Sequence, residues 1–285
     1  MKDARHLSTD SHREIAILLT CFNRKALTLA ALAALPQAVA GAATWRIVLV
    51  DDGSSDGTGD AVAATYPEAI VVRSPGNLYW NGGMRLAWQT ALPLKPDFFL
   101  WLNDDTELRP NAIADMLALY QASVEPRTIV VGCTIDPVSG EVSYGGYRQV
   151  PGLSRLRFRR LLPDEAECDT MNGNCVLFPA AAAVEIGINS PNYRHAYGDN
   201  DYGLRARRAG WRIVELKAFV AKQERNRRYE DSVRRLTLAN ARFILFHPKG
   251  VAIREWWRFC RSHGGMLGPV NFLTRYLKMA SRGNR

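Results

Sequence analysis

The chain has 285 residues, of which 47% are hydrophobic, enough to bury one substantial core or one core with a small appended lobe. Its five cysteines are scattered without a C-x-x-C pair, which argues against a zinc or dithiol site and favours a reducing cytoplasm. The net charge of +9 is divided unevenly, because residues 1–203 carry 17 Lys and Arg against 23 Asp and Glu, whereas residues 204–285 carry 20 against 5.

The sequence predicts no membrane-targeting or membrane-spanning segment. The polar N-terminus, Met1 to Ser11, has no apolar stretch, so we expect no signal peptide or N-terminal anchor. The weakly polar stretch from Ala26 to Thr44 is broken by Pro36 and Gly41, so no membrane span is expected either. A basic end can serve nucleic acid, an anionic membrane or a phosphorylated acceptor, because each offers Lys and Arg an anionic partner.

Four short, continuously apolar segments in the first part of the chain predict buried parallel strands. Helix-like segments separate and follow them, and this alternation predicts an open α/β sheet. The predicted strands are Ile15–Thr20, Arg46–Val50, Ala69–Val72 and Phe98–Leu102, and the predicted helices are Lys25–Leu35, Thr58–Tyr66, Asn81–Leu92 and Pro110–Ala122.

The rest of the chain predicts two more strands and a helix, followed by a helical end in which aromatic and basic residues alternate. We predict strands at Thr128–Gly132 and Cys175–Pro179 and a helix at Asn200–Ala209. The predicted organisation is a catalytic domain at 1–231, with a nucleotide-binding part at about 13–132 and an acceptor-side part at about 133–231, and then a basic, aromatic-rich C-terminal extension at 232–285.

Polar clusters follow three of the predicted strands, at Cys21–Arg24, Asp51–Ser55 and Asn103–Asp105. Ligands of open α/β sheets bind beyond the carboxyl ends of the strands, so the three clusters are expected to line one crevice. Alone, the Asp51-Asp52 pair could equally be a helix-capping turn. The second carboxylate pair favours a site in which oxygen ligands hold Mg²⁺ or Mn²⁺ together with a diphosphate.

The ordered set of motifs resembles the family-2 glycosyltransferases, whose fold is called GT-A. The matching segments are Thr20-Cys-Phe-Asn-Arg24, Val50-Asp-Asp-Gly-Ser-Ser-Asp-Gly-Thr58, Gly76-Asn77 with Asn81-Gly-Gly83, Asn103-Asp-Asp105, and Gly198-Asp-Asn-Asp-Tyr-Gly-Leu-Arg205 followed by Gly210-Trp211. The resemblance runs from about Ile15 to Val220, and its combination of motifs is more specific than any single one. It implies an open mixed sheet flanked by helices, with the helical extension added at the end.

The resemblance also implies a function. It points to an inverting, metal-dependent enzyme that moves a sugar from a nucleotide diphosphate to an acceptor hydroxyl of a glycan or lipid-linked glycan. Similarity to bacterial rhamnosyltransferase-like enzymes of cell-surface polysaccharide synthesis suggests rhamnose, carried by a dTDP or UDP donor. The expected location is the cytoplasm, with the basic end touching the inner face of an anionic membrane.

On the donor side, the resemblance implies that Asp52 contacts the nucleotide base, that Asp104 lies near the ribose and that Asp105 holds the metal. Asn103 takes the first position of the D-x-D-like motif, where an amide is a poorer cation ligand than a carboxylate. The other residues implied for donor binding are Thr20, Phe22, Asn23, Arg24, Asn77, Asn81 and Gly82.

On the acceptor side, Asp199 falls where the family's E-D motif carries the catalytic base, although Gly198 replaces the acidic residue that usually precedes it. Asp201 is the competing base and an acceptor-side candidate, and either carboxylate could instead cap the following helix. His195 could bind the acceptor, tune the base or simply pack in a loop. Trp80 could stack on a sugar or pack.

The segment after the final predicted strand departs from the family pattern. Many relatives place a histidine there as a metal or phosphate contact, but Phe219–Glu224 contains none. Lys222 could contact the diphosphate instead, or be a solvated surface lysine.

Two other classes of protein are alternatives to a glycosyltransferase. A sugar nucleotidyltransferase usually carries a glycine-rich N-terminal phosphate loop, and Ile15–Arg24 contains no glycine. A non-catalytic binding module would not need Asp52, Asp104, Asp105 and Asp199 together. The extension has no nucleic-acid motif, and its Trp and Arg mixture suits a membrane interface, a lipid-diphosphate acceptor or packing on the domain.

Overall fold

The computed structural model describes residues 13–283 of the chain. The expected absence of an N-terminal targeting segment therefore concerns residues that lie outside the described part. Within 13–283, no helix is both long enough and apolar enough to cross a membrane.

The sheets are built from strands β1 to β12, in chain order. Their bounds are Glu14–Cys21, Thr44–Asp51, Ile70–Arg73, Phe98–Leu102, Glu107–Leu108, Thr128–Ile135, Val142–Tyr144, Gly146–Gln149, Phe158–Arg160, Thr170–Met171, Cys175–Pro179 and Arg212–Lys222.

The helices are α1 to α11, also in chain order. Their bounds are Lys25–Ala33, Leu35–Val39, Thr58–Thr65, Tyr79–Ala91, Ala112–Ala122, Ala180–Glu185, Gly198–Arg208, Arg227–Ser232, Ala241–Phe246, Ile253–His263 and Gly268–Gly283.

The main sheet is mixed, with the strand order β3-β2-β1-β4-β11-β6-β12-β5, and β7 pairs with β6. Strands β1 to β4 are parallel to their neighbours among themselves, as the continuous apolar runs predicted. Strand β11 lies between β4 and β6 and is antiparallel to both. The order of elements alone could not reveal this insertion, because it depends on pairing across a long stretch of chain.

Successive residues of the central strands feed two hydrophobic cores, one on each face of the sheet. In β1, Ile15, Ile17 and Leu19 belong to one core, whereas Ala16 and Leu18 belong to the other. Because side chains alternate along a strand, this double burial is what makes the strand apolar throughout. The prediction of strands buried on both faces is confirmed for β1, β4 and the second half of β2, whereas β3, at the edge of the sheet, is only partly buried.

A second, three-stranded sheet in the order β10-β8-β9 was not predicted. Its strands are short, and β8 and β9 are only partly buried, so they carry little hydrophobic pattern. Buried Glu215 of β12 holds this sheet to the main one, since its Oε2 accepts from the Gly146 backbone N–H at 2.6 Å.

The C-terminal extension is helical, as predicted. Helices α10 and α11 pack on each other, and Ile244, Val251 and Met279 form a small core of their own. Helix α10 also packs on α7, which is part of the sheet-bearing domain.

Candidate active site

The three polar clusters predicted to share a crevice come together at the carboxyl ends of β1, β2 and β4. Arg24 Nη1, just after β1, donates to Asp104 Oδ1 at 3.0 Å and to Asp105 Oδ2 at 2.6 Å, both just after β4. The backbone N–H of Ser55, after β2, donates to Asn23 Oδ1 at 2.7 Å. Side chains from three separate segments therefore meet at one edge of the sheet.

The two consecutive aspartates at the end of β2, Asp51 and Asp52, make different contacts. Asp51 Oδ1 accepts from the Ser54 N–H at 2.8 Å, and its Oδ2 accepts from the Gly59 N–H at 3.1 Å in the first turn of α3. The turn interpretation therefore describes Asp51. Both oxygens of its carboxylate accept hydrogen bonds from nearby backbone N–H groups, so the carboxylate is not free to bind a ligand in the crevice.

Asp52 fastens the loop between β3 and α4 to the end of β2. Its Oδ1 accepts from Ser74 Oγ at 2.7 Å and from the Leu78 N–H at 3.0 Å, while its Oδ2 accepts from the Tyr79 N–H at 2.9 Å. Asn77 and Tyr79 have φ of 71° and 58°, in the left-handed region that side chains rarely occupy. Strained backbone of this kind concentrates at functional sites.

The carboxylates after β4 are the candidate metal ligands. Burial raises the pKa of Asp104 to about 7, and the Arg24 guanidinium opposes that increase. Asp105 is shared between Arg24 and Gln223, whose Nε2 donates to its Oδ1 at 2.6 Å. Gln223 stands at the end of β12, the region where a histidine was expected and found missing, and the sequence carried no signal for its role.

The chemical type of these side chains is suited to a divalent cation. Neighbouring carboxylate oxygens are ligands that Mg²⁺ and Mn²⁺ prefer, and Mg²⁺ in particular usually keeps waters and substrate phosphates in its shell. Between residues 13 and 283, no group of three or more His, Cys, Asp and Glu side chains is arranged to hold a metal. Asp105 can therefore act as a ligand only as part of a sparse set, and each of its oxygens already accepts one hydrogen bond, from Arg24 or from Gln223.

The first turn of α4 carries the predicted donor loop, and its residues differ in how they are used. Trp80 Nε1 donates to Asn103 Oδ1 at 2.8 Å, and its ring packs edge-on against Trp101. Asn81 is fully buried, and its Nδ2 donates to the carbonyl oxygens of Ser190 and Tyr193 at 2.8 and 2.6 Å. The Asn81 side chain thus joins α4 to the acceptor-side segment instead of lining the crevice.

Other predicted donor-side residues lie around the same turn. An added Cβ at Gly83 would meet Thr20 Oγ1 at 2.1 Å, so helix α4 can approach β1 this closely only with glycine there. Phe22 is exposed. Lys222 is also exposed, at the end of β12.

Asp199 lies in the first turn of α7, beside the donor-side residues. Its Oδ2 accepts from the Gly173 N–H at 3.1 Å, and its Oδ1 accepts from the Asn200 N–H at 2.8 Å. Burial raises the pKa of Asp199 despite these hydrogen bonds. Gly173 also packs against Trp80, since an added Cβ would meet that ring at 2.3 Å. Asp199 is thereby linked through two residues to Asn103.

Asp201, the competing base, is buried and doubly paired. Arg205 Nε lies 2.8 Å from its Oδ2, and His263 Nε2 lies 2.8 Å from its Oδ1. Tyr197 takes the N-cap position of α7, and its side chain makes no capping hydrogen bond. Helix capping does not describe Asp201, whereas Asp199 Oδ1 does accept one backbone N–H of the first turn of α7.

His195 lies in the loop before α7, next to the donor loop. Its ring is 6.3 Å from that of Tyr79, and the Tyr79 ring is 5.5 Å from that of His247 in the extension. Burial and the positive charges of Lys249 and His247 lower the pKa of His195 to about 4. Its ring is accordingly neutral at neutral pH.

An open mixed sheet with carboxylates gathered at the strand ends defines a nucleotide-diphosphosugar transferase fold of the GT-A type. The family model described as Glycosyl transferase family 2 matches residues 16–183, more than half of the chain. The chain therefore belongs to glycosyl transferase family 2.

Among individual proteins, the chain is similar to N-acetylglucosaminyl-diphospho-decaprenol L-rhamnosyltransferase of Mycobacterium tuberculosis. The two are 27% identical over 195 residues, which cover 59% of this chain and 62% of the relative. The chain thus spans less than two thirds of that relative's length. The predicted resemblance to rhamnosyltransferase-like family-2 enzymes is confirmed.

Solved structures show the same fold at low sequence identity. A mannosyltransferase from Pyrobaculum calidifontis in complex with GDP-Man and Mn²⁺ has a TM-score of 0.59 at 15% identity, covering 94% of this chain and 70% of that one. TarS residues 1–349 from S. aureus, in complex with UDP-GlcNAc, has a TM-score of 0.58 at 13% identity, covering 95% and 74%. The predicted GT-A fold is confirmed.

Proposed function

We propose that this chain is an inverting glycosyltransferase that moves rhamnose from a dTDP- or UDP-linked donor to a hydroxyl of a glycan or lipid-linked glycan. The observation that supports it most is the link from Asp199 through Gly173 and Trp80 to the Asn103-Asp104-Asp105 turn. That link puts a candidate base beside a candidate diphosphate site. The sugar and acceptor follow the activity for which the mycobacterial relative is named.

In the proposed reaction, Asp199 takes the proton of the acceptor hydroxyl as its oxygen attacks the anomeric carbon. The new C–O bond forms on the face opposite the departing diphosphate, whose C–O bond breaks, so the configuration inverts. Asp199 suits this role because burial raises its pKa and so makes it a stronger base than an exposed aspartate. A divalent cation at Asp105 would neutralise the charge of the leaving diphosphate.

The base assignment is tested by comparing two substitutions. Asp199→Asn keeps size and polarity but cannot accept a proton, so donor affinity should persist while turnover falls by about 10² or more. Asp201→Asn tests the competing base, whose carboxylate is already paired with Arg205 and His263. Near-normal turnover in Asp199→Asn together with a dead Asp201→Asn would move the base to Asp201.

Metal dependence is proposed on the carboxylates after β4. Asp105→Ala should abolish Mn²⁺-dependent donor binding in calorimetry without unfolding the protein, because it removes a partly buried site carboxylate and no core volume. Unchanged binding of the nucleotide with Mn²⁺ would refute the ligand assignment. A donor-hydrolysis assay with UDP-, GDP- and dTDP-sugars, run with and without Mn²⁺, then separates an enzyme from a binding module or a nucleotidyltransferase.

We also propose that the extension touches the inner face of an anionic membrane, which would bring the site to a lipid-linked acceptor. Helix α11 exposes a stripe of apolar side chains, and α10 exposes three arginines, the combination found in interfacial helices. These residues are Val270, Leu273 and Leu277 on α11 and Arg254, Arg258 and Arg261 on α10.

The membrane proposal predicts salt-sensitive binding to vesicles that contain anionic lipid. Replacing the three α10 arginines by Gln should weaken binding by about 100-fold, at about 1 kcal/mol for each basic residue near the surface. The same change at Arg46, Arg73 and Arg127, exposed in the sheet-bearing domain, is the control. No binding at low salt, or equal losses in both variants, would contradict it.

A further inference from the structure

Helix α10 of the extension packs directly on the segment that carries Asp199. The ring of Tyr197 lies against Trp256 and Phe259, with centroids 5.4 and 5.1 Å apart and interplanar angles of 32° and 30°. Upstream, Arg194 Nε donates to Glu255 Oε1 at 3.2 Å, and Glu255 is buried. One face of α10 therefore holds residues on both sides of position 195.

A buried polar chain joins the end of α10 to the same segment. His263 Nε2 lies 2.8 Å from Asp201 Oδ1, and His263 Nδ1 lies 2.9 Å from Arg208 Nη2. A guanidinium can only donate and a carboxylate only accept, so these partners require Nε2–H and an accepting Nδ1. His263 thus connects Asp201 and Arg208 of α7, which lie two and nine residues beyond Asp199.

Tyr197, the residue just before α7, has a strained backbone. Tyr197 has φ of 69°, which for an aromatic residue costs on the order of 1–3 kcal/mol and persists only where the surroundings enforce it. The ring of Tyr197 packs on Trp256 and Phe259 of α10 and on Tyr193 of its own segment. Contacts from α10 therefore contribute to holding the turn that precedes Asp199.

We propose that α10 is a positioning element of the active site and that His263 is its key positioning residue, acting on Asp199 through Asp201 and the α7 backbone. This inference rests on the proposed function, in which Asp199 is the base. It gives the extension a task in the reaction that is separate from any contact with a membrane. Near-attack geometry is sensitive, and a misplacement of about 1 Å can cost about 10² in rate.

The experiment compares two replacements of His263 in the full chain. His263→Phe keeps a ring against Phe259, now 4.8 Å from the imidazole, but loses both hydrogen bonds. His263→Gln retains an N–H for Asp201 and an oxygen for Arg208. We expect kcat to fall by about 10-fold or more in the Phe variant with donor KM unchanged, and to recover to within about threefold in the Gln variant.

A second readout does not depend on catalysis. Amide hydrogen exchange should speed up at 198–201 in His263→Phe and stay unchanged in β1 and β4, because Arg205 still pairs with Asp201 and the core is untouched. Normal kcat in the Phe variant, or exchange that rises equally throughout the protein, would overturn the inference.

An Asp199→Asn variant in the same assays separates the two ideas. Normal turnover in Asp199→Asn would remove the base assignment and with it the catalytic part of this inference. A dead Asp199→Asn beside a normal His263→Phe would leave the proposed function standing and refute the positioning role alone.

Discussion

Gly198, which replaces the acidic residue usual in the family, is explained by the side chain that faces it. An added Cβ at this position would meet Asn81 Oδ1 at 2.0 Å and Asn81 Cγ at 2.4 Å. Asn81 cannot yield cheaply, because its Nδ2 donates to two carbonyl oxygens and Asn189 Nδ2 donates to its Oδ1 at 2.8 Å. We therefore expect Gly198→Ala to damage the fold as well as the site.

The cost can be worked from these contacts. Displacing the Asn81 amide leaves buried partners unsatisfied at about 1–3 kcal/mol each, and overpacking typically adds about 1–3 kcal/mol. At the lower limit for the three partners and for overpacking, the free energy of unfolding should fall by about 4 kcal/mol or more, a large part of the roughly 5–15 kcal/mol that stabilises a typical domain. Turnover should fall as well, since Asp199 follows directly.

Urea unfolding of a double-mutant cycle measures this directly. Asn81→Gly removes all three atoms that crowd the added Cβ, so Gly198→Ala should cost far less in that background, with a coupling energy of about 2 kcal/mol or more. Gly82→Ala, next to Asn81, is the control, because an added Cβ there would lie 3.3 Å from Leu78 Cβ and would need only a small shift, so it should cost much less. A wild-type midpoint for Gly198→Ala, or strictly additive losses, would refute the reasoning.

Three further results are expected. Because burial raises the pKa of Asp199, this residue should become protonated, and kcat should be lost, at a higher pH than for an exposed aspartate. A pH–rate profile checks this. His195 binds its proton more weakly when folded, with a pKa near 4 against 6.5, so stability should decrease by up to about 3 kcal/mol as pH falls across that window. Urea titrations at both limits should show a smaller decrease in His195→Gln. All five cysteines are buried and free, and burial raises the pKa of Cys175 to about 12, so iodoacetamide should label none of them before unfolding.

The sheet and the crevice were predictable from the sequence to different degrees. Runs such as Phe98–Leu102 are buried on both faces, and their composition alone indicates central strands of this kind. The opposite direction of β11 could not be read, because Cys175–Pro179 has the same apolar composition whichever way it runs. Direction is decided by pairing partners that are distant in sequence.

The candidate site shows the same limit at single residues. Asp51 and Asp52 are adjacent and chemically identical, yet the first holds a turn and the second holds a loop. Gln223 and His263 carry no motif, and both gain their roles from residues far along the chain. Motif order indicates where carboxylates gather, whereas three-dimensional packing decides which of them stay available.

The insertion of β11 also determines when the sheet can be completed during synthesis. The edge of β4 that pairs with β11 has its partner at Cys175–Pro179, about 75 residues further along the chain. At about 5–20 residues per second, the ribosome takes several seconds to supply that strand. Until then Phe98–Leu102 presents an apolar, unpaired edge, the kind of surface that promotes association between nascent chains. Chaperone demand in the cell should therefore concentrate in this interval of translation and ease once β11 has emerged.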